Sequence, residues 1–286
     1  MKLVRLQGGL GNQIFQYALC KKLENQGATV MLDPRHLHRY QPPRDLVLDQ
    51  VFRDAGRYVL PVGSDVDAGF RTRWLGGNIL SSRLLAALGG ADVLVERGGW
   101  SLADLEGSAR YYVGYWQSES VVQSVVQDLK GDILHLSEGE IRSFGVGDVR
   151  DEDVALHVRR GDYVTHARAA GHHGVLAMSY YEKALALCAQ RGCKRAVIFS
   201  DDIEWCRKAL ADNSIETVFA SSPKPADDVA EFKLMLEFRN HVIANSTFSW
   251  WGARLARDKD KGFTIAPRQW FVNSGSSFIP QAWDVL

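Results

Sequence analysis

The chain has 286 residues, enough to bury the cores of about two domains, and Lys plus Arg equals Asp plus Glu at 34 each. Zero net charge excludes a general electrostatic binder of nucleic acid or membrane, but leaves room for a local basic site. No apolar run approaches the roughly 18 residues of a membrane span, and the four cysteines (Cys20, Cys188, Cys193, Cys206) form no CxxC and no Cys/His metal spacing.

Lys2 to Leu6 reads as a first strand, followed by glycines and Gln rather than a signal-peptide core. Buried, reduced thiols and a cytoplasmic location are therefore expected. Gly8-Gly9-Leu10-Gly11-Asn12-Gln13 forms a tight loop. Ile14, Phe15, Ala18, Leu19 and Leu23 then recur at helical spacing to about Gly27, and Ala28 to Leu32 is a second strand ending in Asp33-Pro34. Strand, loop, helix and strand make a right-handed βαβ unit. From its residues the loop reads as a dinucleotide fingerprint with Asp33, 22 residues after Gly11, on a ribose, or as a tight βα turn without ligand. The fingerprint's third glycine is missing, because Ile14 stands there.

Leu37 to Pro43 is irregular, and Asp65-Val66-Asp67 reads as a solvated turn rather than a metal ligand pair. Ser81 to Leu88 suggests a short helix. Tyr111 to Trp116 is a strand leading into a loop, Val121 to Leu129 a helix, and Gly139 to Arg150 a short helix and linker. Gly145, Gly147 and Asp148 put a domain boundary near residue 150.

Val154 to Val158 is a short apolar run, expected as a buried strand, that ends in Arg159-Arg160-Gly161-Asp162. His157 lies inside it, on the Arg159 face by period-2 alternation. Ligands of open α/β sheets bind beyond the carboxyl ends of strands, and paired guanidinium forks there suit a phosphate. Tyr163 to Ala177 lacks periodicity and reads as a mobile loop, with His172 and His173 as solvated imidazoles. Ser179 is the expected cap of the next helix. Ala196 to Phe199 is a strand, and Ser200-Asp201-Asp202 opens a helix over Ile203 to Leu210. Its carboxylates could cap the helix or contact a nucleotide, and local pattern favours neither. Thr217 to Ala220 is a strand, Asp227 to Phe238 a helix and His241 to Ala244 a strand. Asn245-Ser246-Thr247-Phe248-Ser249 then opens a helix whose free N–H groups form an anion site, with Trp250 and Trp251 in the core. Phe263 to Pro267 is the last strand.

His157-Val158-Arg159-Arg160-Gly161-Asp162 resembles the His-x-Arg-Arg-x-Asp motif of the α1,2-fucosyltransferases, glycosyltransferase family 11. Gly8 to Ala18, Phe199 to Trp205, Asn245 to Ala256 and Trp270-Phe271 resemble further blocks of that family. Glu231 departs from it, since members more often carry Asp there. The resemblance implies an α/β, GT-B-like fold: two Rossmann-like lobes facing across a cleft, with residues 1–150 on the acceptor side and 151–286 on the GDP-fucose side. It implies inverting, metal-independent transfer of L-fucose from GDP-β-L-fucose to the 2-hydroxyl of a galactose-terminated glycan, in bacterial O-antigen synthesis. No cofactor, nucleic acid or integral membrane segment is expected. Gly9, Gly11, Asn12, His157, Arg159, Arg160, Asp201, Asp202, Ser246, Thr247, Phe248 and Ser249 would contact the donor. Arg159 and Arg160 would stabilise the departing diphosphate. Asp162 is the candidate general base, its other role being to orient Arg160. A nicotinamide-dependent oxidoreductase and a non-catalytic nucleotide- or sugar-binding module are the alternative classes.

Overall fold

The computed structural model describes residues 1–39, 43–61, 93–96, 101–160, 175–210, 214–222, 227–257, 261–271 and 278–286. The expected helix over 81–88, the turn at 65–67, Asp162 and most of the histidine-bearing loop lie outside them.

The chain divides into two units, Met1–Ile133 and Leu134–Leu286. In the first, β1 (Lys2–Arg5) is followed by α1 (Leu10–Asn25) and β2 (Val30–Asp33). The remaining strands are β3 (Val93–Val95) and β4 (Tyr111–Val113), giving a parallel sheet in the order β2-β1-β4-β3. α1 lacks a clean polar stripe because both its faces are covered: Ile14, Phe15, Tyr17, Ala18, Leu19 and Leu23 are all buried. The helix expected over 121–129 is two pieces, α2 (Glu119–Gln123) and α3 (Val126–Asp132). The break follows from Ser124, whose hydroxyl donates to the Val121 carbonyl at 2.7 Å and so competes with continued helix.

The second unit begins with α4 (Glu138–Ser143), capped by a reciprocal Ser137–Glu140 box. Then come β5 (Asp153–Val158), α5 (Met178–Gln190), β6 (Arg195–Ser200), α6 (Ile203–Ala209) and β7 (Glu216–Phe219). α7 (Asp228–Leu236), β8 (Asn240–Val242), α8 (Thr247–Arg254), β9 (Thr264–Ala266) and β10 (Asp284–Val285) complete it. The unit boundary precedes residue 150 because Phe144 and Val146, which follow α4, are buried in the second unit's core against Ala155, Val197 and Phe238. Ser179 does not cap α5. The helix starts two residues earlier than that cap would set it, after Ala177, with no side-chain cap.

The six parallel strands run β10-β9-β8-β5-β6-β7. Counted from β5 this is the doubly wound order 3-2-1-4-5-6, with its topological switch between β5 and β8. β5 is buried along its whole length, as a central parallel strand must be. Its alternate residues feed two cores. Val154, Leu156 and Val158 pack with α5, whereas Ala155 packs with α7. Two Rossmann-like parallel units in one chain constitute the α/β, GT-B-like class. Among the described residues no helix is long and apolar enough to cross a membrane.

Candidate active site

The loop after β1 is shaped from within. Gly8 has φ +81°, and a Cβ there would lie 2.6 Å from Asn12 Nδ2, so only glycine fits this turn. Gly9 is the N-cap of α1 and Gly11 lies in its first turn. Gln16, fully buried, accepts from the Gln7 amide at 3.0 Å and donates to the Gly114 carbonyl at 3.0 Å. It thereby ties the carboxyl ends of the adjacent strands β1 and β4. Gln13 donates to the Asp45 carbonyl at 2.8 Å, and Asn12 Oδ1 accepts from Gln117 at 3.0 Å. Much of this motif therefore braces its own loop. Ile14 fills the core. Asp33 has no exposed surface and accepts a fork from Arg35 (2.7 and 2.8 Å) and the Tyr111 hydroxyl at 2.9 Å. Burial would raise its pKa, but Arg35 prevails and holds the carboxyl below its usual range. An Asp engaged on both oxygens offers no acceptor to a ribose, which removes the support for the nicotinamide reading.

In the second unit the carboxyl ends of β5, β6 and β8 bring His157, Arg159, Arg160, Asp201, Asp202 and Ser246 to one edge of the sheet, beside the switch. Arg159 Nη1 lies 3.0 Å from Asp201 Oδ2. Asp201 Oδ1 accepts the Arg160 amide at 2.9 Å. Arg160 stacks its guanidinium 3.8 Å from the Trp205 ring centroid and places Nε 3.6 Å from Asp202 Oδ2. Asp202 caps α6 by accepting the Trp205 amide at 3.2 Å. The two arginines are thus unequal: Arg160 is held against α6, whereas Arg159 rests on a carboxylate that an incoming anion can displace. The two aspartates differ as well: Asp202 caps α6, and Asp201 accepts from both arginines.

His157 is buried, with its ring 5.5 Å from that of Phe248 on α8. Burial, and then the charge of Arg159, push its imidazole down to about 3. It is neutral at physiological pH, and Nδ1 has no hydrogen-bond partner among the described residues. Ser246 is the N-cap of α8 but its side chain does not cap the helix. Ser249 donates to the Ser246 carbonyl at 3.4 Å. The first N–H groups of any helix lack intrahelical partners, so Thr247 and Phe248 present an anion-binding end beside His157. Trp250 and Trp251 are fully buried core residues. Gly252 serves packing, since a Cβ there would run into Met235 Sδ.

One group was missed from sequence. Glu231 on α7 is half-buried, and burial, then Asp228, Asp227 and Asp201, push its carboxyl up to about 7. Only its departure from the family's usual Asp drew notice to it. Between its ordinary 4.5 and about 7 the folded chain keeps a proton that the unfolded chain releases. Its contribution to stability is therefore full below the ordinary value and lost as pH rises through about 7. Glu231→Gln should raise the melting temperature at pH 8 and leave it unchanged at pH 4. Equal shifts at both pH values would contradict this.

The profile of glycosyl transferase family 11 matches residues 101–279, more than half of the chain and all of this edge. The chain belongs to glycosyl transferase family 11. This family 11 chain is 29% identical to the O-antigen biosynthesis glycosyltransferase WbnK of Escherichia coli, over 97% of this chain and 98% of that one. It is 30% identical to an α-1,2-colitosyltransferase of Escherichia coli, over 98% of this chain and 97% of that one. Over 36% of this chain and 28% of the other it is 37% identical to galactoside 2-α-L-fucosyltransferase SEC1 of Bos taurus. Among solved structures, POFUT1 in complex with GDP is similar at 15% identity and a TM-score of 0.47, covering 89% of this chain and 94% of that one. The family 11 chain is a glycosyltransferase.

Proposed function

We propose that this enzyme transfers L-fucose from GDP-β-L-fucose to the 2-hydroxyl of a galactose-terminated glycan, with inversion, in the synthesis of a bacterial surface glycan of the O-antigen type. The observation that carries this is Arg159 poised on Asp201 at the β5–β8 switch, beside the open N-terminus of α8. The leaving group is a diphosphate whose charge grows as the glycosidic bond breaks. A fixed guanidinium fork and helix amides stabilise that charge without needing to reorganise. Arg159 takes the β-phosphate, and Ser246, Thr247, Phe248 and Ser249 supply the helix end. Arg160, stacked on Trp205, adds positive field and keeps Arg159 in register. Neutral His157 offers Nδ1 to the nucleoside. Glu231 accepts the paired N–H donors of guanine and loses its proton as they arrive. Asp162 takes the acceptor proton.

Colitose is a second donor reading, favoured by the full-length similarity to a colitosyltransferase. It is fucose without the 3-hydroxyl. A site built to hydrogen-bond that hydroxyl rejects the deoxy sugar by about 10⁴–10⁵, so the two donors separate cleanly. The test is turnover of GDP-fucose and GDP-colitose against lactose, lacto-N-biose and N-acetyllactosamine, with product linkage read by NMR. An α1,2-fucosylated galactoside is the expected product. Binding of GDP without turnover of either donor would instead mark a non-catalytic module.

Metal independence is expected on the same grounds, because Arg159 and the α8 terminus supply the charge that a cation would. Transfer should persist in excess EDTA. Its loss, with recovery on adding Mn²⁺ or Mg²⁺, would overturn the assignment of charge stabilisation to Arg159.

A further inference from the structure

The sheet of the first unit has a switch of its own. β1 pairs with β2 on one side and with β4 on the other, and ligands of open α/β sheets bind beyond the carboxyl ends of the strands at such a point. Arg5, the last residue of β1, stands there. It is 4% exposed, and its Nε is enclosed and donates to no group among the described residues. By period-2 alternation it shares a face with Leu3, which packs in an apolar cluster with Leu60, Val95, Tyr111 and Val113. The carboxylate beside it in register is Asp33. That carboxylate is already engaged: Arg35 forks its two oxygens at 2.7 and 2.8 Å, and the Tyr111 hydroxyl donates to it at 2.9 Å. Arg35 neutralises Asp33, so Arg5 is a positive charge in excess. A buried ion without a partner is strongly unfavourable. An apolar side chain would serve the fold better here, so the guanidinium answers to something other than packing.

We infer that Arg5 marks a subsite for an oxyanion in the first unit, a carboxylate or phosphate group carried by the acceptor. The guanidinium is a planar fork that pairs with two oxygens of either group. The apolar residues on its face of the sheet keep the local dielectric low, which strengthens such a pair. The donor diphosphate has no call on Arg5, because Arg159 and the α8 terminus of the second unit take it. That the site accepts an oxyanion follows from the stranded charge alone. That the oxyanion belongs to the acceptor rests on the glycosyl transfer proposed above.

The experiment reads the melting temperature of the full chain with galacturonate, inorganic phosphate or neutral galactose, in wild type, Arg5→Met and Arg159→Ala. Methionine keeps an unbranched stem and drops the charge. Without ligand, Arg5→Met should melt roughly 2–4 °C above wild type, because an uncompensated buried cation is gone. Millimolar galacturonate or phosphate should raise the melting temperature of wild type and of Arg159→Ala, and leave Arg5→Met where it was. Galactose should raise none of them. A response to galacturonate alone identifies the group as a carboxylate, and a response to phosphate alone as a phosphate. A shift lost in Arg159→Ala and kept in Arg5→Met would put the anion at the diphosphate site and overturn the inference. No response to either anion would also overturn it. So would a lower melting temperature for Arg5→Met, since the protein itself would then be holding the charge. Turnover is the second readout. With GDP-fucose, kcat/KM should favour a galactoside bearing the responding group over lactose by on the order of tenfold, and Arg5→Met should lose that preference. An equal preference in both chains would overturn the assignment to the acceptor. Absence of turnover, with the anion responses intact, would refute the fucosyl reading and leave the subsite standing.

Discussion

Arg159→Lys should lower turnover by on the order of 10²–10³, nearly as much as Arg159→Ala, because a single preorganised donor to transition-state charge is typically worth that much. Lysine keeps the charge, but it is a compact donor on a flexible stem and cannot present a planar fork. Arg160→Lys should behave differently. The Arg160 guanidinium carbon lies 3.8 Å from the Trp205 ring centroid, with Nε beside Asp202. Its replacement loses a stacking contact worth about 0.5–2 kcal/mol, so stability should fall measurably and turnover by much less than for Arg159. Steady-state kinetics with circular dichroism and melting curves check both. Equal, near wild-type turnover in the two Lys variants would remove the forked contact. Larger loss at Arg160 than at Arg159 would exchange their roles.

The largest stability effect is expected at the opposite end of the sheet. Asp153, with no exposed side-chain surface, forms a two-pronged pair with Arg195 through Nε at 3.0 Å and through Nη2. Arg195 also donates to the carbonyls of Val146 at 2.7 Å and Asp148 at 2.8 Å. Asp153 Oδ2 accepts the Arg150 amide at 2.8 Å. The pair thus ties β5, β6 and the segment 146–150 together. Asp153→Ala leaves a buried cation uncompensated and should destabilise by about 3–5 kcal/mol. Replacing both partners together, as Asp153→Leu with Arg195→Met, should cost much less, because no charge is then stranded. Urea unfolding measures both. A loss below about 1 kcal/mol for Asp153→Ala would mean that water reaches Arg195 and solvates it.

The parts of this protein that could be read from sequence are those where local pattern and tertiary role coincide. β5 announces itself as an apolar β-branched run that ends abruptly in His157, Arg159 and Arg160, because a strand buried on both faces has no other use for such residues at its end. The βαβ opening and the polar start of α8 are visible for the same reason. What was not legible depends on neighbours distant in sequence. β3 and β10, of three and two residues, are too short to show a period and form by pairing with β4 and β9. The helix break at Ser124 turns on one back-bonded hydroxyl. The unit boundary follows Phe144 and Val146 into a core that no linker composition foretells. At the site, sequence offered two arginines and two aspartates as equals. Only the fold separates them, by placing Trp205 under Arg160 and Asp202 at the head of α6. Glu231 owes its raised carboxyl to burial and to aspartates on two different elements, which a linear motif does not record.

The most direct test of the account is a crystal structure of the enzyme soaked with GDP. The diphosphate is expected at the carboxyl edge of the second sheet. Its β-phosphate should be forked by Arg159, which leaves Asp201 to reach it, with the remaining oxygens on the amides that open α8 and the guanine edge on Glu231. GDP held instead by the Gly8–Asn12 loop alone, with Arg159 still paired to Asp201, would contradict it.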